Sequence, residues 1–130
     1  MMATEKKTKR ILIVEDDEDM LEIYRGLFKS KSDRYEIETV TDARMGFKKL
    51  EEQKYDLVIL DIIMEPMPGD TFFLCVRNDD RVKNVPILVV SVLDPEDLSR
   101  QFNRVNHADY LQKPITEEQL FDKIENIIVG

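Results

Sequence analysis

The sequence predicts a doubly wound α/β sandwich with a five-stranded parallel sheet. Strand-like and helix-like patterns alternate five times along one chain. Three short runs of β-branched and aliphatic residues carry no charge at all. Chemistry-bearing side chains cluster where predicted strands end, which in such sheets is where ligands bind.

The apolar runs are Ile11-Leu12-Ile13-Val14, Leu57-Val58-Ile59-Leu60 and Ile87-Leu88-Val89-Val90. Unbroken runs of this length suit strands covered on both faces. Tyr35 to Val40 instead alternates, with Glu36 and Glu38 between Tyr35, Ile37 and Thr39. Charge at every second position suits an edge strand. Asp109 to Gln112 is a weaker fifth strand at the other edge.

Helical stripes fill the gaps. They are Met20, Ile23, Tyr24, Leu27 and Phe28; then Ala43, Phe47 and Leu50; then Phe72, Phe73 and Val76; then Leu98, Phe102 and Val105; then Leu120, Ile124, Ile127 and Ile128. Asp17 or Asp19 is placed to cap the first helix. Asp94-Pro95-Glu96 has the form of a helix start. Thr116 followed by Gln119 forms a capping box. Cys75, inside an apolar run, is read as a small buried hydrophobe.

Length and charge narrow the function. The 130 residues fit one domain, read as a flexible tail over 1–9 and a folded unit over 10–130. Acidic residues outnumber basic ones 27 to 19, a net charge of −8, which argues against binding nucleic acid or anionic lipid. One cysteine excludes an internal disulfide, and no apolar run reaches membrane-spanning length. A cytoplasmic protein, monomeric or weakly dimeric, is expected.

Glu15 and Asp16 follow the first strand, Asp61 the third, Ser91 the fourth and Lys113 the fifth. Core packing places none of these groups there. Crowded carboxylates repel, and a hard divalent cation relieves the repulsion. Such a cation beside a lysine makes a site for a phosphoryl group, and a neighbouring carboxylate can serve as nucleophile.

The segments Ile11 to Asp17, Asp56 to Asp61, Val90-Ser91 and Asp109 to Pro114 together resemble response-regulator receiver domains. The resemblance spans about residues 10 to 129. It implies strand order 2-1-3-4-5 and Mg2+ as cofactor, held by Asp16 and Asp61 directly, by Glu15 through water and by the backbone carbonyl of Ile63. Asp61 becomes the phospho-acceptor and Lys113 a phosphoryl partner. Ser91 and Tyr110 become the switch pair, and the Lys113-Pro114 bond is cis. A histidine kinase, or a phosphotransfer protein, becomes the donor. Output would pass through the face of the fourth helix, fifth strand and fifth helix.

Three positions depart from the family pattern. Glu65 replaces a usual proline and adds charge near the site. Val92 replaces a small residue and is expected to narrow access to Asp61. Asn106-His107 replaces a usual Gly-Ala. Two alternatives use the same residues. A phosphorelay carrier passes the group on to a histidine phosphotransfer protein. A metal-dependent phosphohydrolase is disfavoured because Ile63 stands where an acid/base carboxylate is expected. On the leading reading the chain is not an enzyme beyond its own phosphorylation and the slow loss of that group.

Overall fold

The computed structural model describes residues 8–61, 69–94, 96 and 108–129. Five strands make one parallel sheet: β1 (Lys9–Val14), β2 (Tyr35–Val40), β3 (Leu57–Leu60), β4 (Ile87–Ser91) and β5 (Ala108–Gln112). Their spatial order is β2-β1-β3-β4-β5. The charged β2 is an edge and β5 is the other, as their composition implies. β1 begins at Lys9, inside the stretch expected to be tail, because Lys9 pairs with Tyr35.

Four helices are described: α1 (Glu18–Lys29), α2 (Ala43–Glu52), α3 (Gly69–Arg77) and a C-terminal α4 (Glu117–Val129). The helix expected around Leu98, Phe102 and Val105 lies outside the described residues, as does the Asn106-His107 turn. Two starts are capped as the sequence implies. Asp17 Oδ1 accepts from the Asp19 amide at 3.0 Å at the head of α1. Thr116 and Gln119 form a reciprocal capping box, with bonds of 3.0 and 3.1 Å.

The sheet separates two apolar layers. Because side chains alternate along a strand, each cross-sheet row faces one layer. The row Val40, Val14, Leu60, Val89 and Tyr110 faces α2 and α3, packing with Ala43, Leu50, Phe72 and Val76. The alternate set, Ile11, Ile13, Leu57, Ile59, Leu88 and Val90, faces α1 and α4, packing with Tyr24, Phe28, Leu120 and Ile124. Gly46 lets α2 approach the sheet. A Cβ there would stand 2.9 Å from Val14 Cγ2 and 3.3 Å from Phe72 Cε2.

Two expectations are corrected. Cys75 is exposed, because Phe72 and Val76, one turn apart, take the inward positions of α3 and leave Leu74 and Cys75 outward. Ile23 is 49% exposed and Leu21 is fully buried in its place. The buried face of α1 is set by Met20, Leu21, Tyr24 and Phe28, a stripe rotated from the one expected.

Candidate acceptor site

The ladder explains why two acids meet. The Glu15 amide bonds Val40 O at 3.0 Å, and the Asp61 amide bonds Val14 O at 3.2 Å. Both residues thus extend neighbouring strands by one step, in one row and on the α1/α4 side. Lys113, beyond β5, follows Leu111 on that same side. Its ammonium lies between the two carboxylates, 3.0 Å from Glu15 Oε1 and 2.9 Å from Asp61 Oδ2. All three are largely withdrawn from solvent, with Glu15 1% exposed and Asp61 7% exposed.

Burial sets the electrostatics. Desolvation pushes the Glu15 carboxyl up to about 7, and the Asp61 charge adds to it; the Lys113 bond and the Asp17 amide, 3.2 Å from Oε2, pull the other way. Burial also works against the Lys113 ammonium. Its bonds to Asp61 and Glu15 outweigh that and hold it above the ordinary lysine value. One ammonium therefore does not fully compensate this carboxylate pair.

Ser91 belongs to the opposite side of the sheet, in alternation with Ile87 and Val89. It is fully buried, and its Oγ accepts from the Leu93 amide at 3.4 Å. Its carbonyl accepts from the Lys113 amide at 2.8 Å, so backbone ties the two residues together. Tyr110 is half-buried against the α2/α3 layer and pairs with Val89, two residues before Ser91 on the same face of β4. The Lys113-Pro114 bond is cis, as expected. Val92 is 61% exposed, and its carbonyl accepts from Gln112 Nε2 at 3.3 Å.

The structure thus brings Glu15, Asp61 and Lys113 into contact, with Ser91 joined through the Lys113 backbone. It leaves Asp16 exposed to solvent, while Ile63 and Glu65 lie outside the described residues. Among the described residues no three His, Cys, Asp or Glu side chains are grouped to enclose a metal ion. The donor chemistry nevertheless suits a hard cation: two hard carboxylates, one held reluctant to ionise for want of positive charge, with a third acid adjacent in sequence. Tyr24, read from sequence as one member of an apolar stripe, also bears on this site. Burial, then the charges of Glu15 and Asp61, push its phenol far above the ordinary tyrosine value.

The response regulator receiver domain family matches residues 11–125. The chain belongs to that family. The receiver resembles the transcriptional regulatory protein RprY of Bacteroides fragilis, at 33% identity over 92% of this chain and 49% of that protein. It resembles the regulatory protein VanRB of Enterococcus faecalis at 32% identity, over 92% of this chain and 52% of that one. It therefore spans about half the length of these relatives, and only 12% of the sensor histidine kinase TmoS of Ectopseudomonas mendocina. Among solved structures, the receiver domain of sensor histidine kinase PA1611 from Pseudomonas aeruginosa superposes with TM-score 0.85 at 21% identity, covering 95% of this chain and 100% of that one. That structure has a magnesium ion coordinated in its active-site cleft. Vibrio cholerae CheY4 superposes with TM-score 0.84 at 24% identity, covering 93% and 99%. The receiver is a domain of two-component signalling with the flavodoxin-like fold. Among its described residues no helix is long and apolar enough to cross a membrane.

Proposed function

We propose that this receiver is a phospho-accepting switch in which Asp61 takes a phosphoryl group from a phosphohistidine donor. The observation that carries the reading is the Lys113 ammonium between Asp61 and Glu15, at the end of the sheet where three strands deliver charge. An Asp61 oxygen bonds to phosphorus as the donor's P–N bond breaks, and the imidazole leaves with that electron pair. The transition state accumulates negative charge on the phosphoryl oxygens, so catalysis is chiefly neutralisation and alignment. Lys113 is in place to meet one oxygen. Mg2+, held by Asp16, Asp61 and the Ile63 carbonyl with Glu15 through water, would supply the remaining positive charge.

The switch needs a state in which the phosphoryl group makes a contact absent from the resting one. Ser91 Oγ is held in the resting structure by the Leu93 amide, a long bond that is easily exchanged for a charged phosphoryl oxygen. Movement of Ser91 opens room beside Tyr110, and partner binding changes at the face built by the helix expected between β4 and β5, by β5 and by α4. Val92, exposed directly after Ser91, limits access to the nearly buried Asp61, and Glu65 adds charge repulsion. Histidine kinases and phosphotransfer proteins are the donors this chemistry fits.

The test is transfer from a phosphorylated histidine kinase in the presence of Mg2+. Wild type acquires acid-stable, hydroxylamine-labile label, and Asp61→Asn acquires none. Labelling retained in Asp61→Asn would remove Asp61 from its role. Val92→Ala should raise the rate of labelling by acetyl phosphate, and an unchanged rate would discard the access argument.

A further inference from the structure

Tyr24 is a large residue of the α1/α4 layer whose hydroxyl has no hydrogen-bond partner among the described residues. It lies on the inward face of α1 and is 1% exposed, among the largest fully buried side chains. Its ring packs in the layer formed by Ile13, Ile59 and Val90. Glu15 follows Ile13 by two residues and Asp61 follows Ile59 by two, so both carboxylates continue the strand face that this ring covers. The hydroxyl makes no hydrogen bond to any described residue. A buried phenol without a partner loses on the order of 1–3 kcal/mol relative to one that is satisfied, so a phenylalanine would serve the core better.

We propose that the Tyr24 hydroxyl is a positioning group of the acceptor site, joined through a bound water to the carboxylates of Glu15 and Asp61 from the core side. The carboxylate charges act on this phenol more strongly than any other charged groups do, which is consistent with the placement. A water in this spot has three polar neighbours, enough to be held. It fixes the two carboxylates relative to each other before any ligand arrives. The inference rests on the acceptor reading only for its functional consequence, not for the contact itself.

Two measurements separate the two levels. Carbon-detected NMR of metal-free protein reads the side-chain carboxyl carbons of Glu15 and Asp61 directly. Tyr24→Phe keeps the ring and should move both resonances while leaving that of Asp79 unchanged. Unmoved resonances in a folded Tyr24→Phe would overturn the contact, whatever the site does. Calorimetric titration with MgCl2 then reads the consequence. Tyr24→Phe should weaken Mg2+ binding by about three- to tenfold, the loss expected for one water-mediated bond. Combined with Glu15→Gln, the loss should shrink, because the hydroxyl acts through that carboxylate. Equal affinities for wild type and Tyr24→Phe would overturn the positioning role. Wild type that binds no Mg2+, with both resonances still moved, would sink the acceptor reading and leave the contact standing.

Discussion

Replacing Glu15 with glutamine should stabilise the metal-free domain most at pH 8 and by only about a quarter as much at pH 5. Glu15 has an ordinary value of 4.5 and is held at about 7 in the fold. Below pH 4.5 the carboxyl is protonated in folded and unfolded chains alike, and it contributes no pH dependence. Between 4.5 and 7 the folded state keeps a proton that the unfolded state has released, so stability falls as pH rises. Above 7 the fold carries a charged, buried carboxylate and the cost is constant. About 2.5 units at roughly 1.4 kcal/mol each gives a cost on the order of 3 kcal/mol. Glutamine keeps the shape and an acceptor for Lys113 but has no proton to lose. Urea denaturation in EDTA, followed by circular dichroism at pH 5, 6, 7 and 8, reads the gap between the two proteins. It should open steadily across that range and level off near pH 8. A gap that stays flat with pH would refute the account, since only a titrating Glu15 produces the slope.

On the proposed reading, the stability of wild type should also respond to Mg2+. At pH 8, millimolar Mg2+ should raise the thermal midpoint of wild type and raise that of Asp61→Asn much less, and equal rises would argue against Asp61 as a ligand. Gly26 has open space around it, so Gly26→Ala should gain about 0.5–1 kcal/mol of helix propensity, a midpoint rise of about 2–5 °C in a thermal melt. Gly46→Ala gains the same propensity but drives a methyl into Val14 and Phe72, and overpacking of about 1–3 kcal/mol should leave a net loss by the same melt. Arg77 Nη1 donates to Lys83 O and Val85 O at 2.9 Å each, so Arg77→Met should cost about 2–3 kcal/mol in urea denaturation. Stability equal to wild type would show that the loop before β4 does not depend on it.

Much of this fold was legible in the residues. The three uncharged β-branched runs became the three inner strands, since a strand covered on both faces tolerates no charge. Glu36 and Glu38 marked an edge, and the Thr116 and Gln119 pair marked a helix start to the residue. Helix rotation was less legible. Met20 and Leu21 both fit the α1 stripe, and only packing against the sheet decides that Ile23 is the residue left outside. Cys75 failed for the same reason on α3. At the site, strand ends singled out Glu15, Asp61, Ser91 and Lys113 as candidates, because polar side chains there have no packing role. They did not reveal which side of the sheet each would take. That follows from register, which sequence spacing alone does not fix. Tyr24 gave no signal, since an aromatic on a buried stripe looks like core until its neighbours are known.

The backbone bond from Lys113 to the carbonyl of Ser91 has a wider consequence. The three charged groups stand over one layer and Ser91 and Tyr110 over the other, and the Lys113–Ser91 rung of the ladder runs between them. The sheet acts as a bulkhead, and this rung is a place where it is pierced. On the proposed reading, substitutions near Tyr110 that suit a new output partner should leave the ion pairs of Lys113 with Glu15 and Asp61 in place, and substitutions that suit a new donor should leave the Tyr110 side in place. The scaffold would then be open to re-addressing at either terminal, as long as the crossing between them is kept.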